Sequence, residues 1–379
     1  MTYVNKCPAA KYCGGCRYQG KSYAEQLALK QQFVQSLYAG CPVEPIIGAA
    51  DPYNYRNKVQ FAFGSSRGRV IYGNYVPSTH QIVEIDDCQI AARQANAITA
   101  DIRKLAVSFR LSIFDENSMA GFLRHVMVRT AHKTGQVMVI LVAGTHVFPK
   151  KKDFIRELRK LHPEITTIIL NVNSRHTSMV LGDKTEVLYG RGFIEDILCG
   201  KIFRISPASF YQINAEQTEK LYTEAIRLAD LQKDEVLLDA YCGIGTIGIV
   251  ASDSVREVIG VEINKIAIKD ARINAELNDA DNISFFCQDA GKFMVNTNRK
   301  IDAVIMDPAR AGADEKFLSS LIRLKPKKIV YISCNPVTQK RDVRYLAGRG
   351  YEVQCVQPVD MFPFTEHIET VVLMSRKDT

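Results

Sequence analysis

The sequence predicts an α/β protein whose C-terminal half forms a doubly wound, largely parallel sheet. Short runs of apolar and β-branched residues alternate there with segments of helical character. A glycine-rich turn follows the first of these runs, and a Ser-Cys-Asn-Pro loop follows the fifth, Lys328–Ser333. Open α/β sheets bind ligands at the carboxyl ends of their strands, so both turns are expected to lie in a functional site.

Composition and charge indicate an ordinary globular protein of two or three domains. The chain has 379 residues, of which 46% are hydrophobic and 24% charged. No apolar run reaches the roughly 18–20 residues that a membrane span needs, and the N-terminus has no hydrophobic signal region. We therefore expect a cytoplasmic protein, and the net charge of +8 is compatible with a polyanionic partner.

Three cysteines near the N-terminus, Cys7, Cys13 and Cys16, form a C-x5-C-x2-C pattern. Thiolate clusters of this kind bind zinc or an iron–sulfur cluster, and a fourth ligand is then needed. Cys88 follows a strand-like alternation in an Asp-Asp loop and is preferred over Cys41 as that ligand. The residues alone do not distinguish zinc from iron–sulfur.

The elements of the N-terminal half follow from their patterns. A capping box at Ser22 and Glu25 predicts a helix that ends near Val34 or Leu37. Periodicity predicts strands at 59–63, 123–129, 137–142 and 165–171 and helices at 95–109 and 150–161.

Basic residues on these strands are candidates for phosphate contact. Four of them lie around the first strand and face either phosphates or solvent: Arg56, Lys58, Arg67 and Arg69. Arg124, His125 and Arg129 lie on the second strand and are expected to be structural or solvated rather than to touch a substrate.

The C-terminal half begins with a long helix, predicted at 214–229. The buried strands that follow are predicted at 235–239, 257–262, 283–287, 301–306 and 328–333. Two final strands, 351–357 and 368–373, are expected to form a closing hairpin.

The glycine-rich turn at residues 243–248 matches the dinucleotide-binding fingerprint G-x-G-x-x-G. In that fingerprint the first glycine directly follows the strand, whereas Asp239-Ala-Tyr-Cys intervenes here. An anionic Asp239 suits a cationic or amino-bearing ligand better than a pyrophosphate. With Glu262 23 residues later, the arrangement resembles the Rossmann-like S-adenosylmethionine methyltransferases. In that resemblance Glu262 accepts both ribose hydroxyls and Asp289 lies near the adenine; a dinucleotide enzyme is the less favoured alternative.

Motifs along the whole chain together resemble the RNA uracil-C5 methyltransferase family. They are Cys7/Cys13/Cys16 with Cys88, Ser206-Pro207-x-x-Phe210-x-Gln212-x-Asn214, Asp239-x-Tyr241-Cys242-Gly243-x-Gly245, Asp307-Pro-Ala-Arg310, Ser333-Cys334-Asn335-Pro336 and His367-Ile-Glu369. Each is weak alone, and their order along one chain makes the resemblance specific.

The resemblance implies a Rossmann-like S-adenosylmethionine methyltransferase domain, with a mixed seven-stranded sheet, and a smaller β-rich iron–sulfur domain. The implied boundaries are 1–18 and 52–205 for the β-rich domain and 19–51 and 206–379 for the catalytic domain. The [4Fe–4S] cluster is taken to support folding and RNA binding rather than redox turnover. Its implied ligands are Cys7, Cys13, Cys16 and Cys88.

The resemblance also implies an enzyme that transfers a methyl group from S-adenosylmethionine to C5 of a uridine in RNA. Uracil C5 is a poor nucleophile, so the reaction needs covalent activation. The implied nucleophile is Cys334, which adds to C6, and the implied base is Glu369, with Glu366 as its local rival. The implied cofactor-binding residues are Gln212, Tyr241, Gly243, Gly245, Thr246, Glu262, Asp289 and Asp307.

The cysteine set and the Asp307-Pro-Ala-Arg-Ala-Gly form resemble the 23S ribosomal RNA enzymes more than the tRNA enzyme, which lacks the cluster. A TRAM domain, a small RNA-binding β-barrel, is not expected, because the chain begins close to Cys7. RNA would then be held by the cluster domain and its basic residues. The expected partner is RNA rather than DNA or a membrane, and the expected state is a monomer. The alternatives are a tRNA substrate, or a non-catalytic iron–sulfur RNA-binding protein.

Overall fold

The computed structural model describes residues 7–377, and the chain divides into two compact units. The first unit comprises Met1–Gly20, Asp51–Ile197 and Ile205–Ala208, and the second comprises Lys21–Ala50, Leu198–Arg204 and Ser209–Thr379.

Helices and strands are numbered here in chain order. The helices are α1 (Ala10–Cys13), α2 (Tyr23–Leu37), α3 (Arg93–Ser108), α4 (Lys151–Leu161), α5 (Ala215–Ala229), α6 (Thr246–Ala251), α7 (Lys265–Leu277), α8 (Ala290–Asn296), α9 (Glu315–Leu324) and α10 (Pro336–Ala347). The strands of the first unit's sheet are β1 (Lys58–Ser66), β2 (Arg69–Tyr75), β3 (Ile82–Glu84), β4 (Leu123–Thr130), β5 (Val137–Ala143), β6 (Ile165–Val172) and β7 (Lys184–Tyr189). The remaining strands are β8 (Ile194–Leu198), β9 (Lys201–Ile205), β10 (Val236–Ala240), β11 (Glu257–Glu262), β12 (Ile283–Cys287), β13 (Ala303–Met306), β14 (Lys328–Ser333), β15 (Tyr351–Val359) and β16 (Glu369–Arg376). Among the helices of residues 7–377, none is both long and apolar enough to cross a membrane.

The first unit is built on one seven-stranded sheet with the order β3-β2-β1-β4-β5-β6-β7. Its pairs are antiparallel except for the parallel pair of β5 and β6. Alternate residues of β1, such as Phe61, join a core with Ile98 and Ile102 of α3. The strands and helices predicted for this region are confirmed within a few residues at their ends.

The basic residues of β4 are largely buried and held by neighbouring groups. Arg124 forms an ion pair with Glu116 at 3.1 Å, and the Arg129 guanidinium donates to the carbonyl of Ser206 at 2.8 Å. The pKa of His125 is lowered to about 4, mainly by burial and also by the charge of Arg124. The contacts of Arg124 and Arg129 fit a structural role, and the expectation that these residues do not touch a substrate stays a prediction.

The second unit contains a mixed seven-stranded sheet with the order β12-β11-β10-β13-β14-β16-β15. The first five strands are parallel, and β16 runs antiparallel to both β14 and β15. This confirms the predicted α/β fold with its closing hairpin. Helix α2, begun by the capping box at Ser22, packs Val34 into the core of this sheet.

Residues 198–204 group with the second unit, whereas the expected boundaries assigned them to the β-rich domain. The reason lies in their hydrogen bonds. The backbone N–H groups of Cys199 and Arg204 donate to the side chains of Glu219 on α5 and Asn274 on α7, both at 2.8 Å.

The sheet of the second unit has a topological switch point between β10 and β13. From β10 the chain moves outward to β11 and β12, and it then returns to place β13 and β14 on the other side. Adjacent loops leave in opposite directions at such a point, which opens a crevice at the carboxyl ends of the strands. Asp239 lies near the end of β10, and Asp307 directly follows β13.

Candidate active site

The turn between β10 and α6 bends through three residues in the left-handed conformation. The φ values are 64° at Tyr241, 56° at Gly243 and 83° at Gly245. A Cβ at Gly245 would lie 2.9 Å from the ring of Phe285, whereas one at Gly243 would meet nothing within 4 Å. Tyr241 adopts this conformation despite its side chain, whose ring contacts that of Phe317 at a centroid distance of 5.4 Å. The turn therefore needs glycine at residue 245 and leaves open space beside residue 243.

Asp239 stabilises this turn through a buried hydrogen bond. Its buried Oδ2 accepts the backbone N–H of Gly248, in α6, at 2.8 Å. Burial is the main cause that raises the pKa of Asp239 to about 7; the hydrogen bond from Gly248 opposes the rise, and the charges of Asp307 and Glu262 add to it. The acid at the end of β10 thus holds the glycine turn and faces two further carboxyl groups.

Glu262, at the end of β11, directly faces the same turn. Its Oε2 accepts the N–H of Gly243 at 3.2 Å, and its Oε1 accepts the N–H of Asn264 at 2.7 Å. Two backbone donors therefore fix the carboxylate, whose remaining lone pairs are free to accept other groups.

The other predicted cofactor residues lie around this crevice in different settings. Thr246 opens α6, and its buried hydroxyl contacts the Tyr222 hydroxyl at 3.1 Å. Asp289 caps α8 by accepting the N–H of Lys292 at 2.9 Å. The pKa of Tyr241 is raised mainly by burial, and then by the charges of Asp314 and Asp289. Gln212 is buried in the segment before α5.

The loop after β14 holds Cys334 in a tight turn. The Ser333 hydroxyl accepts the N–H of Asn335 at 3.0 Å, and Asn335 caps α10 by accepting the N–H of Val337 at 3.3 Å. Pro336 occupies the first turn of α10, where a missing N–H costs nothing. The predicted strand and loop are confirmed, the structure adds a helix that begins at Pro336, and the thiol lies between two fixed neighbours.

Strand pairing brings the predicted nucleophile and base together. Ser333 on β14 lies opposite Thr370 on β16, so Cys334 and Glu369 lie at adjacent strand ends. Glu369 is only 3% exposed, and its Oε2 has no hydrogen-bond partner among the described residues. Burial raises the pKa of Glu369 well above its ordinary value, and Asp307 raises it further.

The same acids act on the thiol. The pKa of Cys334 is raised to about 11, mainly by burial and also by the charges of Glu369 and Asp307. Burial also raises the pKa of Asp307 to about 7. The surroundings of these carboxyl groups thus shift them toward their neutral forms. A cationic ligand would reverse that preference by Coulomb attraction.

Arg310 is a residue of this site for which the sequence predicted no role. Its positive charge lowers the pKa values of both Cys334 and Glu369. Its carbonyl accepts hydrogen bonds from the Asn335 amide and the Thr338 hydroxyl, both at 3.0 Å. Its guanidinium lies 3.3 Å from His367 Nδ1. The sequence signal that could have identified Arg310 is its position three residues after Asp307, the acid that directly follows β13.

Gln339 cross-links the two strands behind the nucleophile and the base. Its amide nitrogen donates to the carbonyls of Tyr331 on β14 and Thr370 on β16, at 2.7 and 3.1 Å. Its oxygen accepts the Tyr38 hydroxyl at 2.8 Å and the Thr370 hydroxyl at 2.5 Å. The side chain is fully buried, with all four hydrogen-bonding positions satisfied.

The four predicted cluster cysteines lie in the first unit, near enough for their charges to interact. Burial raises the pKa of Cys16 to about 11, and the charges of Cys88, Cys13 and Cys7 contribute to the rise. The Asn74 amide donates to the Cys13 sulfur at 3.3 Å. Across residues 7–377, however, no group of three or more His, Cys, Asp or Glu side chains is arranged to hold a metal ion.

The chain is similar to known RNA methyltransferases. A family model described as tRNA (uracil-5-)-methyltransferase matches residues 22–377. An uncharacterised RNA methyltransferase of Oceanobacillus iheyensis is 41% identical over 376 residues, covering 97% of this chain and 82% of the relative. One from Halalkalibacterium halodurans is 40% identical over 381 residues, covering 98% and 83%.

A solved structure extends the similarity to the fold. The tRNA (uracil-54, C5)-methyltransferase of Pyrococcus abyssi, in complex with S-adenosyl-L-homocysteine, superposes with a TM-score of 0.81 at 27% identity. The match covers 95% of this chain and 86% of that one. The chain therefore belongs to the tRNA (uracil-5-)-methyltransferase family, whose enzymes use S-adenosylmethionine to methylate uracil C5 in RNA.

Proposed function

We propose that the protein methylates C5 of a uridine in 23S ribosomal RNA through a covalent bond between Cys334 and uracil C6. The observation that carries this proposal is the pairing of a loop-borne thiol with a buried carboxyl at adjacent strand ends. Ser333 lies opposite Thr370, and the neighbouring Glu369 keeps one oxygen without a hydrogen-bond partner among residues 7–377.

The reaction begins when the Cys334 thiol gives its proton to solvent water and the sulfur forms a bond to C6. The electron pair of the C5–C6 double bond moves into the C4 carbonyl and gives an enolate. S-adenosylmethionine supplies an electrophilic methyl group. The enolate carbon C5 takes this methyl group as the sulfur–methyl bond breaks. Glu369 then removes the C5 proton, the double bond re-forms, and the thiolate leaves.

The charges around the site set the protonation states that this sequence needs. A Cys334 pKa of about 11 favours the protonated thiol at neutral pH. Arg310 favours the thiolate, and a bound sulfonium cation would favour the ionised forms of both the thiol and Glu369. Cofactor binding therefore prepares both groups, and the raised pKa of Glu369 makes its carboxylate a stronger base.

The cofactor is proposed to occupy the crevice above β10 and β11. The open space beside Gly243 would admit it, and the fixed Glu262 carboxylate would accept the ribose hydroxyls. The residues proposed to bind it are Gln212, Tyr241, Gly243, Gly245, Thr246, Glu262, Asp289 and Asp307. The Asp307 carboxyl faces both this crevice and the catalytic pair, as its charge raises the pKa values of Asp239 and Glu369.

Replacing Gln339 with methionine is expected to slow turnover by roughly 10²-fold, because a small displacement of reacting groups has an effect of that size. The side chain keeps its approximate volume and loses its bonds to both strands. We expect the later proton-removal step to slow most, since Thr370 is adjacent to Glu369. Methylated covalent adduct should then accumulate on denaturing gels.

Asn282→Leu is the matched control for that experiment. Its amide likewise donates to two backbone carbonyls, those of Ser252 and Val255, at 3.0 and 3.1 Å. It precedes β12, at the opposite edge of the sheet from the catalytic strand ends. If both variants lower turnover equally and neither accumulates adduct, Gln339 has no positioning role.

The cysteines of the first unit are proposed to hold a [4Fe–4S] cluster. Their donor set fits such a group, because four thiols interact electrostatically and hydrogen-bond donors reach their sulfurs. Burial raises the pKa of Cys88, and hydrogen bonds from the backbone of Ile90 and Ala91 partly offset that rise. The Asn74 amide donates to the Cys13 sulfur. Bound, the cluster would cross-link the segments before and after β1–β3 and so stabilise the unit. The proposed ligands are Cys7, Cys13, Cys16 and Cys88.

Protein purified without oxygen is expected to be brown, with iron and sulfide in equal amounts. A Cys88→Ser variant should lose most of this absorbance, whereas Cys41→Ser, which changes a cysteine of the second unit, should keep it. Colourless protein with stoichiometric zinc would contradict the cluster assignment.

The target RNA is tested by mapping 5-methyluridine by mass spectrometry in 23S ribosomal RNA and in tRNA from cells with and without this gene. We expect cells without this gene to lose a 5-methyluridine from 23S ribosomal RNA. A tRNA target is the second candidate, because the structural relative from Pyrococcus abyssi is a tRNA enzyme. Unchanged 5-methyluridine in both RNAs would refute the proposed activity.

A further inference from the structure

The first unit contains a cluster of positive charges on β1 and β4 that no catalytic role explains. Lys58 on β1 lies directly opposite Arg129 on β4 in the antiparallel pairing. Arg56 lies two residues earlier, in a bridge with Ala91, and so follows the same side of the extended chain. Like charges directly opposite one another in a sheet are destabilising, so this arrangement needs a compensating partner.

The ammonium group of Lys58 is the central member of this cluster. It is half-buried and takes part in none of the ion pairs found among residues 7–377. The pKa of Lys58 is lowered to about 8, mainly by burial and also by the charges of Arg129 and Arg56. Both the low exposure and the like charges therefore disfavour the ammonium, and a bound anion would relieve both effects.

The other two members complement Lys58 in different ways. The guanidinium of Arg129 is buried and donates to the carbonyls of Ser206 and Pro207, at 2.8 and 3.3 Å, so its positive charge has a fixed position. Arg56 is exposed and its side chain is accessible to a ligand. One accessible guanidinium beside one half-buried ammonium is suited to two oxygens of a single phosphate.

We propose that Arg56 and Lys58, supported by Arg129, bind a backbone phosphate of the RNA substrate. This inference rests on the proposed function for the identity of the RNA. A phosphate diester carries one negative charge and acceptor oxygens that match these donors, and the net charge of +8 favours a polyanion. The site does not touch the reacting atoms, so it should act on RNA affinity and leave methyl transfer within the complex unchanged.

The test is the affinity of Lys58→Met for a fluorescently labelled uridine-rich RNA oligonucleotide across a salt series. We expect roughly tenfold weaker binding at low salt and a slope of log affinity against log salt smaller by about 0.7–0.9, the value for one phosphate contact. Binding of S-adenosylmethionine should be unchanged. The variant should melt no lower than the wild type, because it loses a disfavoured charge.

Lys104→Met is the matched control, because Lys104 is an exposed lysine of the same unit, paired with Asp101 at 2.8 Å. It should keep the wild-type slope. Equal losses in both variants, or an unchanged slope in Lys58→Met, would overturn the proposal. Inorganic phosphate, compared with chloride at equal ionic strength, should displace RNA more readily from the wild type than from Lys58→Met, because it competes for this site. Wild-type protein that binds no RNA at all would instead refute the proposed function.

Discussion

Replacing Cys334 with serine is expected to abolish methylation of RNA while leaving the fold and cofactor binding intact. A serine hydroxyl is a much weaker nucleophile than a thiolate, and uracil C5 stays unreactive without addition at C6. We expect turnover to fall by roughly 10⁴-fold or more, the scale seen when a covalent nucleophile is removed. The measurement is transfer of a labelled methyl group from S-adenosylmethionine to RNA.

The covalent step can be measured separately with RNA that contains 5-fluorouridine. Fluorine at C5 cannot be removed as a proton, so the wild type should remain bonded to this RNA and migrate slowly on a denaturing gel. Cys334→Ser should form no such adduct. Cys287→Ser is the matched control, because Cys287 is an exposed thiol at the end of β12 in the same unit. Methylation by Cys334→Ser above the background rate would remove Cys334 as the nucleophile.

The position of Cys334 was predictable because local signals agree there. An apolar, β-branched run predicted β14, and Ser333-Cys334-Asn335-Pro336 predicted the loop that follows it. The structure contains both, with Asn335 as the cap of α10. The capping box at Ser22 similarly predicted α2. These features depend on residues within a few positions of one another, so the sequence pattern contains them.

Other parts of the sheets were not predictable from local patterns. Strand β7 lies at an edge and most of its residues are exposed, so it has no apolar alternation to detect. Strand β2 follows β1 after a two-residue turn and was not recognised as a separate strand. Edge strands and tight hairpins are defined by pairing, and pairing is a property of the folded chain.

The contacts that tune the candidate site are also long-range. Tyr38 and Gln339 are 301 positions apart in sequence, yet their side chains share a buried hydrogen bond. The guanidinium of Arg310 reaches His367 across 57 positions. The roles of Cys334 and Glu369 came from a family resemblance, whereas the charges that shift their pKa values became visible only in the folded structure.

Replacing Glu369 with glutamine is expected to stop the reaction after methyl transfer. Glutamine matches the volume of the carboxyl group but cannot accept the C5 proton. Burial raises the pKa of Glu369 strongly, so a neutral side chain suits this position and folding should be preserved. We expect turnover to fall by roughly 10²–10⁴-fold, the usual contribution of a general base. Methylated RNA should remain bonded to Cys334, with S-adenosylhomocysteine released in an amount equal to the enzyme.

Glu366→Gln is the control that distinguishes the two acids of this segment. Glu366 is exposed, whereas Glu369 is buried at the start of β16, beside the strand end that leads to Cys334. Glu366→Gln should therefore turn over many times and accumulate no adduct. If Glu366→Gln instead traps methylated RNA and Glu369→Gln turns over normally, the base is Glu366. The unpartnered oxygen of Glu369 would then have no part in proton removal.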